Sequence, residues 1–362
     1  MKIGVFGGTF NPPHIGHVEA ANKVSAGLGL DLLIIVPAGT PPHKNLPTGT
    51  PSAQLRYIMA ENAFKTTTNT LISDIEVKSE KQSYAIDTIE YLKRDHPDSE
   101  FYLLVGTDMY NTLDSWKDSD SLLKQVTPVE LRRDVIDISS SQVRDMLPER
   151  KGREYVADLN YSYIIRNRLY GAKPEWTWLR QQAHSMLSPV RIPHVDACEA
   201  EALRLAERWS VDIDDAREAA ILHDITKRLD LKGNLKILDE HGVTAGKLGF
   251  AEEKLLHSIT GALLAKTMFG VSDTVAEAIK WHTTGKAKMT VLEKVIYIAD
   301  YIEATRDFPG VDELRKKAYT DIDDAMIMGL EMSIDDMLAR GITPNDTTYK
   351  ALGSLMTGKD SV

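Results

Sequence analysis

Two histidines three residues apart, His14 and His17, close the run Gly7-Gly-Thr-Phe-Asn-Pro-Pro-His-Ile-Gly-His17. A short apolar stretch precedes this run and a helical pattern follows it. That spacing puts both imidazoles on one face of the turn entering the helix. Backbone N–H groups of a glycine-rich turn can close on an anion there, and the helix N-terminus adds partial positive charge. Gly7, Gly8, Thr9, Phe10, His14 and His17 therefore form a candidate site for a nucleoside triphosphate. Much later in the chain, His194, the doublet His223-Asp224, His257, His282 and Asp300 fall on helical patterns. A buried histidine–aspartate doublet is costly unless it is paired or bound to metal. The separations are far too wide for a zinc-finger frame, but they suit a cluster assembled inside a helical bundle.

The elements around the first constellation read as an α/β, doubly wound parallel sheet. Strand 1 is Ile3 to Phe6, with a helix from Gly16 to Ala26. Asp31 to Val36 is a continuous apolar run suited to a strand buried on both faces. Pro37 to Lys44 is a loop at that strand's C-terminal edge, where open α/β sheets bind ligands. Ser52 to Phe64 reads as a helix, Thr70 to Val77 as a strand, Ala85 to Asp95 as a helix and Phe101 to Val105 as another buried strand. Gly106-Thr-Asp108 follows, placing Asp108 where a carboxylate takes ribose hydroxyls or caps a loop. Trp116 offers either a core residue or a flat face for an aromatic base. Lys44 is either a solvated loop lysine or a point charge for phosphate or carboxylate.

A second anion wall is written in Asp137-Ile-Ser-Ser-Ser-Gln-Val-Arg144. Its serines suit an N-cap before a helix from Gln142 to Leu147, with Arg144 in the first turns. Ile138, Ser139, Ser140 and Arg144 can then face the glycine turn, so that two helix N-termini clamp one polyphosphate. The P-loop pattern and the G-x-G-x-x-G fingerprint are both missing. Two imidazoles meet the phosphates instead, which suits attack by one phosphate on the α-phosphate of a nucleoside triphosphate. Positioning and charge stabilisation carry such a step.

Gly171 to Pro174 marks a junction, giving domains at 1–172 and 175–362. Beyond it the pattern is all-helical, as in Ala197 to Trp209, Asp215 to Leu222 and Val291 to Ile302. A net charge of -10 over 362 residues argues against nucleic acid as the main partner. One cysteine, Cys198, excludes an intramolecular disulfide and suits a reducing cytoplasm. It is expected to pack on a helix. No apolar run reaches the roughly 18 residues of a membrane span, so no membrane role is expected.

Residues 1–171 resemble the bacterial nicotinate mononucleotide adenylyltransferases. The likeness is carried by GGTFNPPHIGH (7–17), PPHK (41–44), SDIE (73–76), SYAIDT (83–88), VGTD (105–108), Trp116, ISSSQVR (138–144) and the ending YIIRNRLYG (163–171). It implies a Rossmann-like nucleotidyltransferase that uses ATP with Mg2+. His14, His17, Ser140 and Arg144 would bind the phosphates and stabilise the transition state. Gly106 and Asp108 would hold the adenosine. Trp116 would stack on the pyridine ring, with Lys44, Tyr84 and Thr88 nearby. Two departures stand out. Ala85 replaces a usual threonine, and the stretch between Trp116 and Ile138 is shorter than in the family. Val126 to Leu131 would be its remnant, its arginine's work falling to Arg132 or Arg133.

The second half, roughly 175–345, carries the H…HD…D pattern of HD-domain phosphohydrolases. Arg191-x-x-His-Val195, LHDITK (222–227), HSITGALLA (257–265), WHTTGK (281–286) and IADYIEATRDFPG (298–310) resemble the YqeK group among them. The resemblance implies a helical bundle that hydrolyses diadenosine tetraphosphate to two ADP. Asp224 would be catalytic, and all six His and Asp residues would be metal ligands. Four ligands support one metal; adding His257 and His282 implies two, iron or manganese being as well suited as zinc to nitrogen and oxygen donors. Lys227 and Arg306 would meet substrate phosphates, and Thr283 and Thr284 would line the site. Ser258-Ile259 departs from the usual glycine and proline. The reading is a bifunctional, cytoplasmic enzyme, with a homo-oligomer as a family-level expectation. Two alternatives stay open. The second half could be a metal-stabilised nucleotide sensor or oligomerising module. The first acceptor could be nicotinamide mononucleotide or another phosphate such as phosphopantetheine.

Overall fold

In strand β2 (Leu32–Pro37), Leu33, Ile34, Ile35 and Val36 are all buried. Ile34 and Val36 enter one apolar cluster, and Leu33 and Ile35 enter another. Both faces of the sheet are thus covered, which is why the run does not alternate with polar residues. This computed structural model describes residues 1–40, 46–79, 82–132, 136–243 and 253–359. The chain divides into two units, Met1–Glu175 and Trp176–Val362. Glu175 goes with the first unit because its N–H donates to the Tyr161 hydroxyl at 2.8 Å.

The first unit is a five-stranded parallel sheet in the order β3-β2-β1-β4-β5. The other strands are β1 (Lys2–Gly8), β3 (Thr70–Ile72), β4 (Glu100–Gly106) and β5 (Thr127–Leu131). Helices α1 (Ile15–Leu28) and α2 (Ala53–Phe64) pack on one face through Ala21, Ala60 and Phe64. Helices α3 (Ala85–Asp95) and α5 (Ser119–Leu123) cover the other through Ile86, Ile89, Leu92 and Leu122. Between these and the end of the unit come α4 (Thr107–Tyr110), α6 (Ser140–Met146) and α7 (Asp158–Arg166). β3 stops at Ile72, short of the Val77 expected from sequence. Ser73 and Asp74 offer the backbone a local alternative: the Ser73 hydroxyl accepts from the Ile75 N–H, and residues 75–77 turn. Within the segment 126–131, Thr127–Leu131 is a true edge strand, registered Leu104↔Val129 on β4.

One buried cation ties the sheet's loops together. Arg56 on α2 is 1% exposed. It donates to the carbonyls of Pro51 (3.3 Å), Thr9 (2.7 Å) and Gly39 (2.9 Å). Burial pushes its guanidinium pKa down from the usual arginine value. Gly39 lies so close to the Glu76 carbonyl that a Cβ there would come within 2.1 Å of it.

The second unit is all helix among its described residues. It comprises α8 (Trp176–Met186), α9 (Ile192–Arg208), α10 (Ile213–Leu222), α11 (Leu231–Glu240), α12 (Glu253–Phe269), α13 (Asp273–Trp281), α14 (Val291–Ile302), α15 (Val311–Ala318), α16 (Ile322–Ala339) and α17 (Asp346–Lys359). α9, α10 and α14 pack on one another, and α13 packs on α10, α12 and α14. Ala202, Ala216, Ala219, Ala220 and Ala299 are fully buried, and such small residues let helices approach closely. Cys198 packs on α9, fully buried. Side-chain caps fix the starts of α10 (Asp212 to the Asp215 N–H, 2.9 Å) and α14 (Thr290 with Glu293). Among the described residues no helix is long and apolar enough to cross a membrane.

Replacing Arg56 with leucine removes the donors to three carbonyls, one buried and two half-buried. The unfolding midpoint of the first unit should fall by the equivalent of about 2–5 kcal/mol. The second unit's transition should stay put; calorimetry of the whole chain resolves the two.

Candidate active sites

The first site forms where β1 runs into α1. His14 is the N-cap of α1, in extended conformation, and its N–H donates to Nδ1 of His17 at 3.2 Å. Nδ1 of His17 is therefore the acceptor, which leaves the proton of the neutral ring on Nε2 as a donor. The two rings lie 3.7 Å apart, centre to centre. Phe10 supports them. Its φ of 48° is a costly conformation for a bulky residue. Edge-on packing against Phe6 (5.4 Å), His17 (5.3 Å) and Phe64 (5.9 Å) holds it there. Phe10 as a whole is 1% exposed, so it supports the turn from within the core.

The serine segment supplies the facing wall. Ser139 caps α6 in a capping box with Gln142: Ser139 N–H to Gln142 Oε1 at 2.8 Å, and Gln142 N–H to Ser139 Oγ at 3.2 Å. Helix α6 starts at Ser140, two residues before the expected Gln142. Ser140 donates to the Pro12 carbonyl (2.9 Å) and Arg144 to the Asn11 carbonyl (2.7 Å). Ile138 is buried, 3.4 Å from where a Cβ on Gly16 would stand; His14 Nδ1 would be 3.1 Å from it. A larger residue at Gly16 would therefore press on the His14 ring and crowd Ile138.

Beside this wall a cavity of about 240 Å³ opens at the carboxyl ends of β1, β2 and β4. β1 and β4 flank the point where strand order reverses, the usual ligand crevice of such sheets. Gly7, Gly8, Thr9, Tyr84, Thr88, Gly106 and Trp116 all line it. The Thr88 hydroxyl is already engaged, donating to Glu76 Oε1 at 2.8 Å. Burial raises the Glu76 carboxyl above the usual carboxylate value, the Thr88 bond working against this. Asp108 is exposed in the first turn of α4, two residues past the strand end. Arg132 pairs with Glu130 at 2.9 Å. Lys44 and Arg133 lie outside the described residues.

The second site brings all six expected ligands together. Asp224 is fully buried, with one oxygen turned to each of two histidine pairs. Oδ1 lies 3.2 Å from His257 Nε2 and 3.6 Å from His282 Nε2. Oδ2 lies 3.4 Å from His223 Nε2 and 3.9 Å from His194 Nε2. Asp300 Oδ1 is 3.0 Å from His194 Nε2 and 4.0 Å from His223 Nε2. Three groups of donor atoms, His194-His223-Asp224, His223-His282-Asp300 and Asp224-His257-His282, each converge to within 4.8 Å.

These donors fit divalent cations. His223 Nδ1 donates to the Ala220 carbonyl (2.7 Å), His282 Nδ1 to the Ile279 carbonyl (2.6 Å) and His194 Nδ1 faces Glu303 Oε1 (3.0 Å). With Nδ1 protonated, Nε2 of a neutral ring presents a lone pair. Yet His194 and His223 meet Nε2 to Nε2 at 3.4 Å, as do His257 and His282 at 3.3 Å. Asp224 Oδ1 is buried with no hydrogen-bond partner among the described residues. Lone pairs and carboxylate oxygens converging in a dry site call for positive charge between them. Burial opposes charge on Asp224 and Asp300, but the facing imidazoles hold both carboxyls well below the usual range. Burial also pushes His282 down to about 4, so it is neutral at pH 7, as a ligand must be.

Arginines stand on the more open side. Arg191 donates to Asp224 Oδ2 at 2.5 Å, and Arg306 to Asp300 Oδ1 at 2.8 Å. Arg306, expected to meet substrate phosphate, is thus paired with a ligand carboxylate here. Lys227 donates to His257 Nε2 at 3.1 Å, and burial lowers its pKa. Thr283 reaches Ser258 Oγ at 3.4 Å, while Thr284 is buried and its hydroxyl turns to the Gly285 carbonyl. Sequence reasoning left Arg56, Arg191 and Glu303 without roles. Glu303 was readable from its place three positions after Asp300, at the residue that caps the end of α14.

Residues 5–146 match the family described as Cytidylyltransferase-like, and residues 191–305 match the HD domain. A Shouchella clausii protein named "Probable nicotinate-nucleotide adenylyltransferase" is 37% identical over 191 residues, which is 48% of this chain and 99% of that protein. The Bacillus subtilis "Bis(5'-nucleosyl)-tetraphosphatase, symmetrical" is 36% identical over 173 residues, 48% of this chain and 92% of that protein. A Mycoplasma genitalium protein named "Probable nicotinate-nucleotide adenylyltransferase/Ap4A hydrolase" is 28% identical over 359 residues, 91% of this chain and 97% of that protein.

Divalent metal should stabilise the second unit selectively. Manganese at 100 times its Kd should add about 2.7 kcal/mol, read as a raised Tm of that unit's transition. Asp224→Ala should remove the gain, and the first unit's transition should not move.

Proposed function

We propose a bifunctional enzyme, on the premise that this chain belongs to the nicotinate-nucleotide adenylyltransferases through its first half and to the HD-domain symmetrical bis(5'-nucleosyl)-tetraphosphatases through its second. The first unit transfers AMP from ATP to nicotinate mononucleotide. The second hydrolyses diadenosine tetraphosphate to two ADP. The observation that carries this reading is the convergence of six His and Asp donors in the second unit, beside a cavity in the first that Gly7, Gly8, Thr9, Tyr84, Thr88, Gly106 and Trp116 line.

In the first unit, a 5'-phosphate oxygen of the mononucleotide attacks the α-phosphorus of ATP. A P–O bond forms, the bond to the bridging oxygen breaks, and pyrophosphate leaves. The protein has little covalent work to do. His17 Nε2–H and the N-terminus of α1 meet the triphosphate from one side, and Ser140, Arg144 and the start of α6 from the other. Asp108 and Gly106 take the adenosine, while Trp116 and Tyr84 enclose the pyridine ring. Magnesium accompanies ATP as its counter-ion.

In the second unit, His194, His223, Asp224, His257, His282 and Asp300 would hold divalent cations. Iron and manganese suit these ligands, and Cys198 is not among them. Bound cations supply a nucleophilic water at neutral pH and neutralise phosphate charge. Water adds to one phosphorus of the central anhydride and the bond from that phosphorus to the bridging oxygen breaks; one ADP leaves with the bridging oxygen, the other carries the water's oxygen, and the water's protons pass to the leaving oxygen and to solvent. Arg191, Arg306 and Lys227 line the approach and offer positive charge to the polyphosphate.

Single variants separate the halves. His17→Ala should lower kcat for AMP transfer by roughly a hundredfold, with tetraphosphate hydrolysis unchanged. Asp224→Ala should abolish hydrolysis by manganese-loaded protein and spare AMP transfer. Release of ADP by the Asp224 variant at the parental rate would remove the hydrolase assignment.

A further inference from the structure

The pyridine cavity carries few charges among its described residues. Among its described lining residues, two are ionisable at neutral pH: Glu76 and Lys117. Glu76 Oε1 accepts the Thr88 hydroxyl at 2.8 Å, and the carboxyl also bonds the Gly39 backbone. It is anchored to the wall, and as an anion it disfavours a second carboxylate nearby.

Lys117 stands differently. It follows Trp116 directly, and its Nζ lies 4.3 Å from the centre of the Tyr84 ring. The ammonium is therefore held beside the aromatic groups that enclose the pyridine. Its partner is Asp87 on α3, at 3.4 Å. That pair is loose and solvated, with side-chain exposures of 43% and 54%, so it holds the lysine weakly. An incoming carboxylate can compete for such an ammonium; a carboxamide, with no charge, gains little from it. The remaining walls are largely apolar, including Val36, Leu103 and Val105, and lend strength to a charge pair formed at the rim.

We infer that Lys117 is a specificity-determining residue of the first unit, selecting a pyridine-3-carboxylate mononucleotide over the 3-carboxamide. This rests on the reading of the cavity as the mononucleotide site. Asp87 tempers the effect by sharing the ammonium, and Glu76 opposes it.

The test compares kcat/KM for nicotinate and nicotinamide mononucleotides with ATP in the whole chain. The parent should favour the acid. Lys117→Gln should lower the acid-to-amide ratio roughly three- to tenfold, mainly through KM of the acid. Lys117→Arg should keep the ratio, Asp87→Asn should raise it, and Glu76→Gln should not lower it. The parental preference should also shrink as salt rises, since the pair is exposed. An unchanged ratio in an active Lys117→Gln enzyme overturns the selection while leaving the cavity assignment intact. A parent that transfers AMP to neither mononucleotide overturns the cavity assignment itself. The lysine is exposed, so the variant should keep the parental Tm, and a lost ratio then reports recognition and not folding.

Discussion

Asp224 sits in a place where a carboxylate cannot remain charged without help. It has no accessible surface, and its two oxygens face opposite pairs of imidazoles. Removing such a group from water costs several kcal/mol unless positive charge meets it. The second unit is arranged around that requirement. Five helix ends or helix faces deliver His194, His223, His257, His282 and Asp300 to one carboxylate, while the alanine-rich surfaces of α9, α10 and α14 allow the approach. Arg191 and Arg306 add charge from the more open side. Fold and chemistry are therefore difficult to separate here: the residues that would hold cations also define where the helices meet.

The first unit handles polar burial by other means. Its loops are held by donors reaching carbonyls: Arg56 binds three of them, Arg144 and Ser140 one each. A carbonyl has no proton to lose, so this scaffold does not depend on the protonation state of an acid. The glycine turn and the start of α6 are fixed relative to each other before any nucleotide arrives. Such preorganisation is what a transfer reaction governed by positioning demands.

Much of this was legible in the chain. The unbroken apolar run of β2 announced a sheet covered on both faces, and the serines before Val143 announced a helix start. The His-Asp doublet, with three further histidines on apolar helices, pointed to a buried metal cluster. What escaped was decided by partners distant in sequence. Arg56 lies in an ordinary helical stretch, and only the folded position of the Thr9 and Gly39 carbonyls explains its burial. The Thr88 hydroxyl reads as a ligand contact until Glu76 is found 2.8 Å away. β3 ended early because Ser73 redirected the backbone, a short-range effect that β propensity does not contain. The start of α6 was misjudged by two residues because three serines in a row offer three plausible caps.

His223 and His282 share one placement: each occupies the position just past the last turn of its helix and returns its Nδ1–H to a carbonyl three residues back. Each ring would thereby serve both as a metal donor and as the plug of its own helix end. If α10 or α13 frays by one turn, the ring loses its orientation together with the carbonyl that fixed its proton. Cation release and helix-end opening are then one equilibrium seen from two sides. The amides of those final turns should exchange with solvent at a rate set by how firmly the cations are held.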